Sequence, residues 1–256
     1  MKRAAIVQSS YIPWKGYFSL IQLADAFILY DDVQYTHRDW RNRNRIKTEA
    51  GGEWLTIPVT VKGRSQQRVR DACTRDGRWA RKHWRAIEQN YCKAPYFAQL
   101  GPAIRELYAR CAEEPRLSRI NHCFLQAVCR WLAIETPLIW SMDLELHGGR
   151  TERLIGLCRQ VGAAEYLTGP AARAYLDEAL FVRAGMCVRW MDYAGYPEYR
   201  QLHGPPFIHQ VSILDLLLNE GPQGAARYMA AYRELAQARF AAGDRAPSPA
   251  GGRAFA

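Results

Sequence analysis

Residues 3–32 read RAAIVQSSYIPWKGYFSLIQLADAFILYDD. RAAIVQ is a short apolar run, AFILYDDVQY is a second, and between them WKGYFSLIQLAD spaces its apolar residues three and four apart after Pro13. That pattern predicts a strand, a helix opened by the proline, and a second strand. A strand that leaves its sheet through a helix returns alongside in the same direction, so the two strands are expected to be parallel neighbours.

The alternation returns after Pro137, where PLIWSMDL, EYLTG and CVRWMDY read as strands separated by the helical patterns TERLIGLCRQVGA and ARAYLDEALFVRAG. Thr151 is expected to cap the first of these helices, and Gly162 and Gly185 to stop the two. Between the two alternating regions the pattern changes. NRNRIKTEAGGEWLTIPV predicts a hairpin with Gly51 and Gly52 at its turn, and residues 77–91, 95–112 and 117–132 predict three helices. SILDLLLNEG, capped by Ser212 with Asp215 at the third helical position, and PQGAARYMAAYRELAQARFAAG are two further helices. The expected fold is therefore α/β: a Rossmann-like, doubly wound, mainly parallel sheet with a β-hairpin and a helical insertion at about 77–132. Residues 1–241 are expected to form a single domain, and the Pro/Gly-rich residues 242–256 a disordered tail.

Composition narrows the class. The 256 residues are 48% apolar and 23% charged, the balance of a globular chain. No apolar run approaches the roughly 20 residues of a membrane span, and MKRAAIVQSS turns polar too early for a secretory signal, so a cytoplasmic location is expected. Seven scattered cysteines without a CxxC pair predict no metal site. Nothing in the sequence identifies a cofactor: GxGxxG, Walker, HExxH and GxSxG patterns are not present. Much of the net charge of +10 lies between Arg38 and Arg85, interleaved with Trp and Asn, which suits phosphate contacts and stacking. Zinc-finger spacing and aromatic RNP patterns are not found there, so the expected partner is a phosphate-bearing small molecule rather than nucleic acid.

In an open parallel sheet, ligands lie beyond the carboxyl ends of the strands. That rule singles out the segments QSSYIPW, DDVQY, SMDLELHGGR, TGPAARAY and DYAGYPEYRQ. Gln8 and Ser9 stand at a helix mouth whose free N–H groups favour an anion, and Trp14 can stack on a ring. Asp31 and Asp32 end a strand, so their side chains should diverge. Asn42, Arg43 and Asn44 sit in a strand pattern where asparagine is unfavourable, which marks them as contacts to a ligand or a loop. Thr168 and Gly169 form a strand-to-helix turn suited to phosphate. Asp32 and His83 are the candidate proton-transfer groups.

Taken together, QSSYIPWKGYFSLIQLADAFILYDDVQYTHRDWRNRNRIKTEAGGEWLTIPV, KHWRAIEQNYCKAPYF, TERLIGLCRQVGAAEYLTGPAARAYLDEALF and VSILDLLLNEG resemble the WbqC-like family over Ala5 to about Gly221. The resemblance implies a role in the biosynthesis of O-antigen or another surface polysaccharide. It also implies transfer of glycine or a related acyl group to a sugar, with an acyl-carrier or aminoacyl donor as partner. The matched positions add Tyr11, Asn90 and Tyr91 to the expected ligand-binding set. One departure stands out: the family tends to read His-Gln-Pro where this chain has Val7-Gln8-Ser9. A more distant similarity is to adenylyl-transferring α/β domains, which carry a HxGH pair where Trp14 and Tyr17 stand here. An adenylate-forming ligase or nucleotidyltransferase is therefore the alternative expectation, and a non-catalytic nucleic-acid or carrier-protein binder the second.

Overall fold

The computed structural model describes residues 1–242. β1 (Arg3–Val7), α1 (Lys15–Leu23) and β2 (Ala26–Leu29) open the chain as the strand, helix and strand expected. The hairpin β3 (Arg43–Thr48) and β4 (Gly51–Thr56) follows, then the helices α2 (Arg78–Tyr91), α3 (Phe97–Ala112) and α4 (Leu117–Trp131). The alternating part supplies β5 (Leu138–Trp140), α5 (Arg150–Gln160), β6 (Glu165–Thr168), α6 (Glu178–Arg183) and β7 (Cys187–Trp190), and the long α7 (Ile213–Ala241) comes last.

The five strands other than the hairpin form one sheet in the order β5-β2-β1-β6-β7, with every neighbouring pair parallel. β1 is central, with Ala4 opposite Ala26 on one side and Tyr166 on the other. Because successive side chains leave a strand on opposite faces, the sheet divides the core in two. Ala5, Phe27, Leu29 and Leu167 face one cluster, which contains α1, α7 and the three inserted helices. Ala4, Ile6, Ile28 and Tyr166 face a smaller cluster with Leu154 and Leu157 of α5 and Phe181 of α6. The inner strands β2, β1 and β6 are short and largely buried on both faces, which is why RAAIV and AFIL read as apolar runs rather than alternations. Burial of a side chain such as Phe18, which is fully covered, stabilises the fold by roughly 1.5–3 kcal/mol.

Three local expectations are corrected. The hairpin turns at Glu49 and Ala50, not at the two glycines: Thr48 pairs with Gly51, whose φ of 109° carries the chain out of the turn. The cap of α5 is Gly149 rather than Thr151, which lies inside the helix. Residues 172–185 do not form one helix. A 3-10 turn at Pro170–Ala174 precedes α6, whose cap is Asp177 accepting from the Leu180 N–H. The last two predicted helices are the two arms of α7, separated as expected at Gly221, where φ is 71° and ψ is 171° and a Cβ would lie 2.4 Å from the Tyr96 ring. Ser212 caps α7 as expected, and Gly162 and Gly185 follow α5 and α6 with φ of 68° and 74°. Residues 243–256 of the expected tail lie outside the described residues. No helix among the described residues is long and apolar enough to cross a membrane.

Candidate functional site

A cavity of about 630 Å³ opens at the carboxyl end of the sheet. Val7 and Gln8 from the end of β1, Tyr30 beyond β2, and Thr168 and Gly169 at the end of β6 supply its base. One wall is the loop after β1, through Ser10, Pro13 and Trp14, backed by Asp39, Trp40 and Arg41 from the approach to the hairpin and by Asn44 of β3. The facing wall is the start of α5, through Gly149, Arg150 and Arg153, with Tyr175 beside it.

The first wall is held by hydrogen bonds between segments far apart in sequence. Tyr11 N–H donates to the Trp40 carbonyl at 3.0 Å, and Asn44 Nδ2 donates back to the Tyr11 carbonyl at 3.2 Å. Arg41 Nη1 reaches Ser10 Oγ at 3.0 Å, and the Tyr17 hydroxyl donates to the Gln8 carbonyl at 2.9 Å. From α4, Asn121 Nδ2 donates to both Ser9 Oγ and the Arg41 carbonyl, at 3.1 and 2.9 Å. This bracing holds Ile12, a β-branched residue, at a φ of 35°, a conformation that persists only where its surroundings impose it. Trp14 stands edge-on to Tyr193 at 5.2 Å, and its ring covers Gly16 so closely that a Cβ there would come within 2.2 Å.

The predicted site residues separate into groups. Gln8, Trp14, Asn44, Thr168 and Gly169 line the cavity. Ser9 and Asp31 lie just behind it and are buried: Ser9 N–H donates to Asp31 Oδ1 at 2.8 Å, and burial raises the Asp31 pKa against the Ser9 and Ser118 hydrogen bonds that lower it. Asn42 is buried with its Nδ2 on the Ile57 carbonyl, and Arg43 lies over the Trp54 ring at 4.2 Å. Asn90 donates to the Ala86 carbonyl within α2. The Tyr91 hydroxyl accepts from Lys47 N–H and donates to buried Asp215.

The two expected proton-transfer groups are placed away from the cavity wall. Asp32 diverges from Asp31 as expected, but toward a lock: it accepts from Ser141 Oγ at 2.6 Å and pairs with Arg70 and, at 3.6 Å, with Arg68. His83 is buried with Tyr11. Its Nε2 faces the Thr56 carbonyl at 3.2 Å, and because a carbonyl only accepts, Nε2 holds the proton. Nδ1 then accepts from the Tyr11 hydroxyl at 2.8 Å, and Tyr11 in turn accepts from Tyr108 at 2.6 Å. Burial lowers the His83 pKa to about 4, so the ring is neutral near pH 7 with both nitrogens occupied.

Arg150, Arg153, Asp39 and Trp40 are wall residues that the sequence reading did not select. A signal for the arginines was present. HGGRTER puts two cations in the first turn of a helix, where the dipole disfavours them unless an anion is nearby. Arg150 lies over the Tyr175 ring at 5.1 Å, which keeps its guanidinium at the wall.

A sequence profile for the WbqC-like protein family matches residues 8–227, a span that contains both walls of the cavity. The chain belongs to the WbqC-like protein family. A relative in Mycobacterium tuberculosis, the uncharacterized protein Rv1507c, is 51% identical over 223 residues, covering 87% of this chain and 96% of its own length. No solved structure matches the chain. In this WbqC-like protein Val7, just before the matched span, is among the residues lining the cavity.

Proposed function

We propose that this chain is a transferase that binds an amino-sugar nucleotide, or a similar phosphate-bearing small molecule, in the cavity and joins an acyl or aminoacyl group to it. One observation carries the binding half of the reading. Arg41, Arg150 and Arg153 come from opposite walls onto a single cavity whose lining also carries the rings of Trp14, Tyr30, Trp40 and Tyr175. Guanidinium groups favour phosphate by paired, charge-assisted hydrogen bonds, and rings such as Trp14 and Trp40 offer faces to a base or sugar. The volume lies within the roughly 300–1,000 Å³ of small-molecule sites.

The topology supports the same reading. Numbering only the strands of the parallel sheet, the order is 3-2-1-4-5, so the crossovers reverse between β1 and β6. A Rossmann-like, doubly wound sheet places its ligand at that reversal, and Gln8, Thr168 and Gly169 stand there.

The transfer half rests on kinship and on one carboxylate. Among the lining residues the acid is Asp39, with Oδ1 accepting from Trp40 N–H at 2.7 Å and Oδ2 3.6 Å from Arg41. An amine must lose a proton to attack an acyl carbon. In the proposed step the new N–C bond forms as the bond from the acyl carbon to the carrier breaks, and the amine proton passes to the Asp39 carboxylate. Asp32 and His83 then support the walls rather than receive that proton. The donor is an acyl-carrier thioester or an aminoacyl ester, and glycine is one such group.

The test is a thermal-shift panel of nucleotides, sugar nucleotides and acyl thioesters, followed by mass spectrometry of the stabilising sugar nucleotide incubated with candidate donors. The expected result is stabilisation by the sugar nucleotide, a product heavier by the acyl group, and loss of that product in Asp39→Asn with binding retained. Release of pyrophosphate from ATP in place of acyl transfer would overturn the assignment in favour of adenylate formation.

A further inference from the structure

The hairpin carries an aromatic and cationic platform outside the cavity. β3 and β4 pair with Arg45 opposite Trp54 and Arg43 opposite Thr56, so these side chains share one face, while Asn44, Ile46 and Leu55 are buried on the other. Trp54 is 41% exposed. The guanidinium carbon of Arg43 lies 4.2 Å from the centre of its ring, and that of Arg45 lies 5.3 Å away. Stacking on an indole holds a guanidinium in place and leaves its N–H edge to meet an anion. Arg45 Nη2 donates to Gln210 Oε1 at 3.2 Å. Among the described residues neither guanidinium forms an ion pair with a carboxylate, although Glu49 and Glu53 belong to the same hairpin. Two like charges over one ring repel each other, and an anion bound by both offsets that cost.

The platform is continuous with the cavity. Trp40, which lines the cavity, has its ring 5.3 Å from that of Trp54, and its backbone N–H holds the Asp39 carboxylate. A ligand lying across Trp40 therefore has one end at Asp39 and the other over Arg43 and Arg45. Arg150 and Arg153 stand on the facing wall, so an anion on the hairpin does not compete with one at the start of α5.

We infer that Arg43, Trp54 and Arg45 bind the phosphate of a pantetheine-type handle, which presents the acyl group at Asp39 as a thioester. This rests on the transferase reading and narrows its donor. In an aminoacyl ester of a nucleotide the phosphate lies within a few bonds of the reactive carbon, whereas here the whole width of Trp40 separates the anion platform from Asp39. A long thiol handle spans that gap. When the amine displaces it, the handle leaves as a thiol that takes up one proton, and its phosphate has no covalent part in the step.

Isothermal titration of pantetheine, 4′-phosphopantetheine and coenzyme A into the full-length protein tests the site. 4′-Phosphopantetheine should bind at least about tenfold tighter than pantetheine, with an affinity that falls as salt rises. A further gain for coenzyme A assigns a free thioester as the donor, and equal affinity for the two phosphorylated probes assigns the arm of a carrier protein. Arg43→Ala, Arg45→Ala and Trp54→Ala should each remove most of the phosphate's contribution, with pantetheine binding and circular dichroism unchanged. Equal affinity for pantetheine and 4′-phosphopantetheine, no binding of either, or a phosphate gain that survives all three substitutions would overturn the inference. Acyl transfer from N-acetylcysteamine thioesters, which carry no phosphate, separates the two readings. Its presence without phosphate-dependent binding sinks this inference alone; its absence with phosphate-dependent binding sinks the transferase reading and leaves the anion site.

Discussion

Replacing Lys15 by methionine should remove a pH dependence that the wild-type protein has between neutral and alkaline pH. Lys15 lies in the first turn of α1 and is 3% exposed. Its ammonium donates to the His209 carbonyl at 3.0 Å and sits 5.3 to 5.9 Å from the rings of Tyr196, Tyr199 and Phe207. Burial lowers its pKa to about 8, against an upward pull from Asp215. The unfolded chain holds that proton until about pH 10.5 and the folded chain releases it near 8, so in this window the unfolded state binds more protons and stability rises with pH. Integrated from about pH 7 to about pH 10, the gain is roughly 2.5 kcal/mol. Urea unfolding of wild type and Lys15→Met at both pH values measures it, because the difference between the two responses cancels the groups they share. Wild type should gain about 2.5 kcal/mol more than the variant over that interval. Equal responses would refute the reasoning and show that the Lys15 ammonium titrates as it would in water.

Other outcomes follow from the same packing. Tyr11→Phe should cost about 1–3 kcal/mol in urea unfolding, because it leaves His83 Nδ1 and the Tyr108 hydroxyl without their buried partner. His83 itself should make the fold acid-sensitive: with a folded pKa of about 4 its contribution is complete above the ordinary histidine value and is lost as pH falls from about 6.5 through 4, a loss that His83→Gln should lack in acid titrations followed by fluorescence. Gly16→Ala should displace the Trp14 ring from the cavity wall, read as a change in tryptophan emission and a roughly five- to 150-fold loss of ligand affinity for a ring that stacks on the ligand for about 1–3 kcal/mol.

Much of the architecture was legible because the period of the apolar residues changes cleanly. RAAIVQ, WKGYFSLIQLAD and AFILYDD gave a parallel pair with its crossover helix, and Pro222 after Gly221 marked the bend in α7. The hairpin turn was misplaced because Gly51 and Gly52 are the most turn-like pair in the segment, yet Thr48 pairs with Gly51 and donates its hydroxyl to the Gly51 carbonyl, which leaves Glu49 and Ala50 to turn. At the cavity, the rule for strand ends led to Gln8, Trp14, Thr168 and Gly169. The same logic could not place Tyr11, His83 and Tyr91. A polar atom in an isolated sequence invites a functional role, and their partners lie 27 to 124 residues away in the chain. Arg150 closes the segment SMDLELHGGR that the strand-end rule singled out, but neither it nor Arg153 was named individually, because only the fold shows the start of α5 at the cavity.

The central claim is that the two arginines at the start of α5 hold the phosphates of the ligand in the cavity. Isothermal titration of a sugar nucleotide into wild type, Arg150→Ala and Arg153→Ala tests it most directly. Loss of a charge-assisted pair worth about 1.5–3 kcal/mol predicts affinity lower by roughly ten- to a hundredfold in each variant, with a weaker dependence on salt than wild type. Binding of equal strength and equal salt dependence in all three proteins would contradict it.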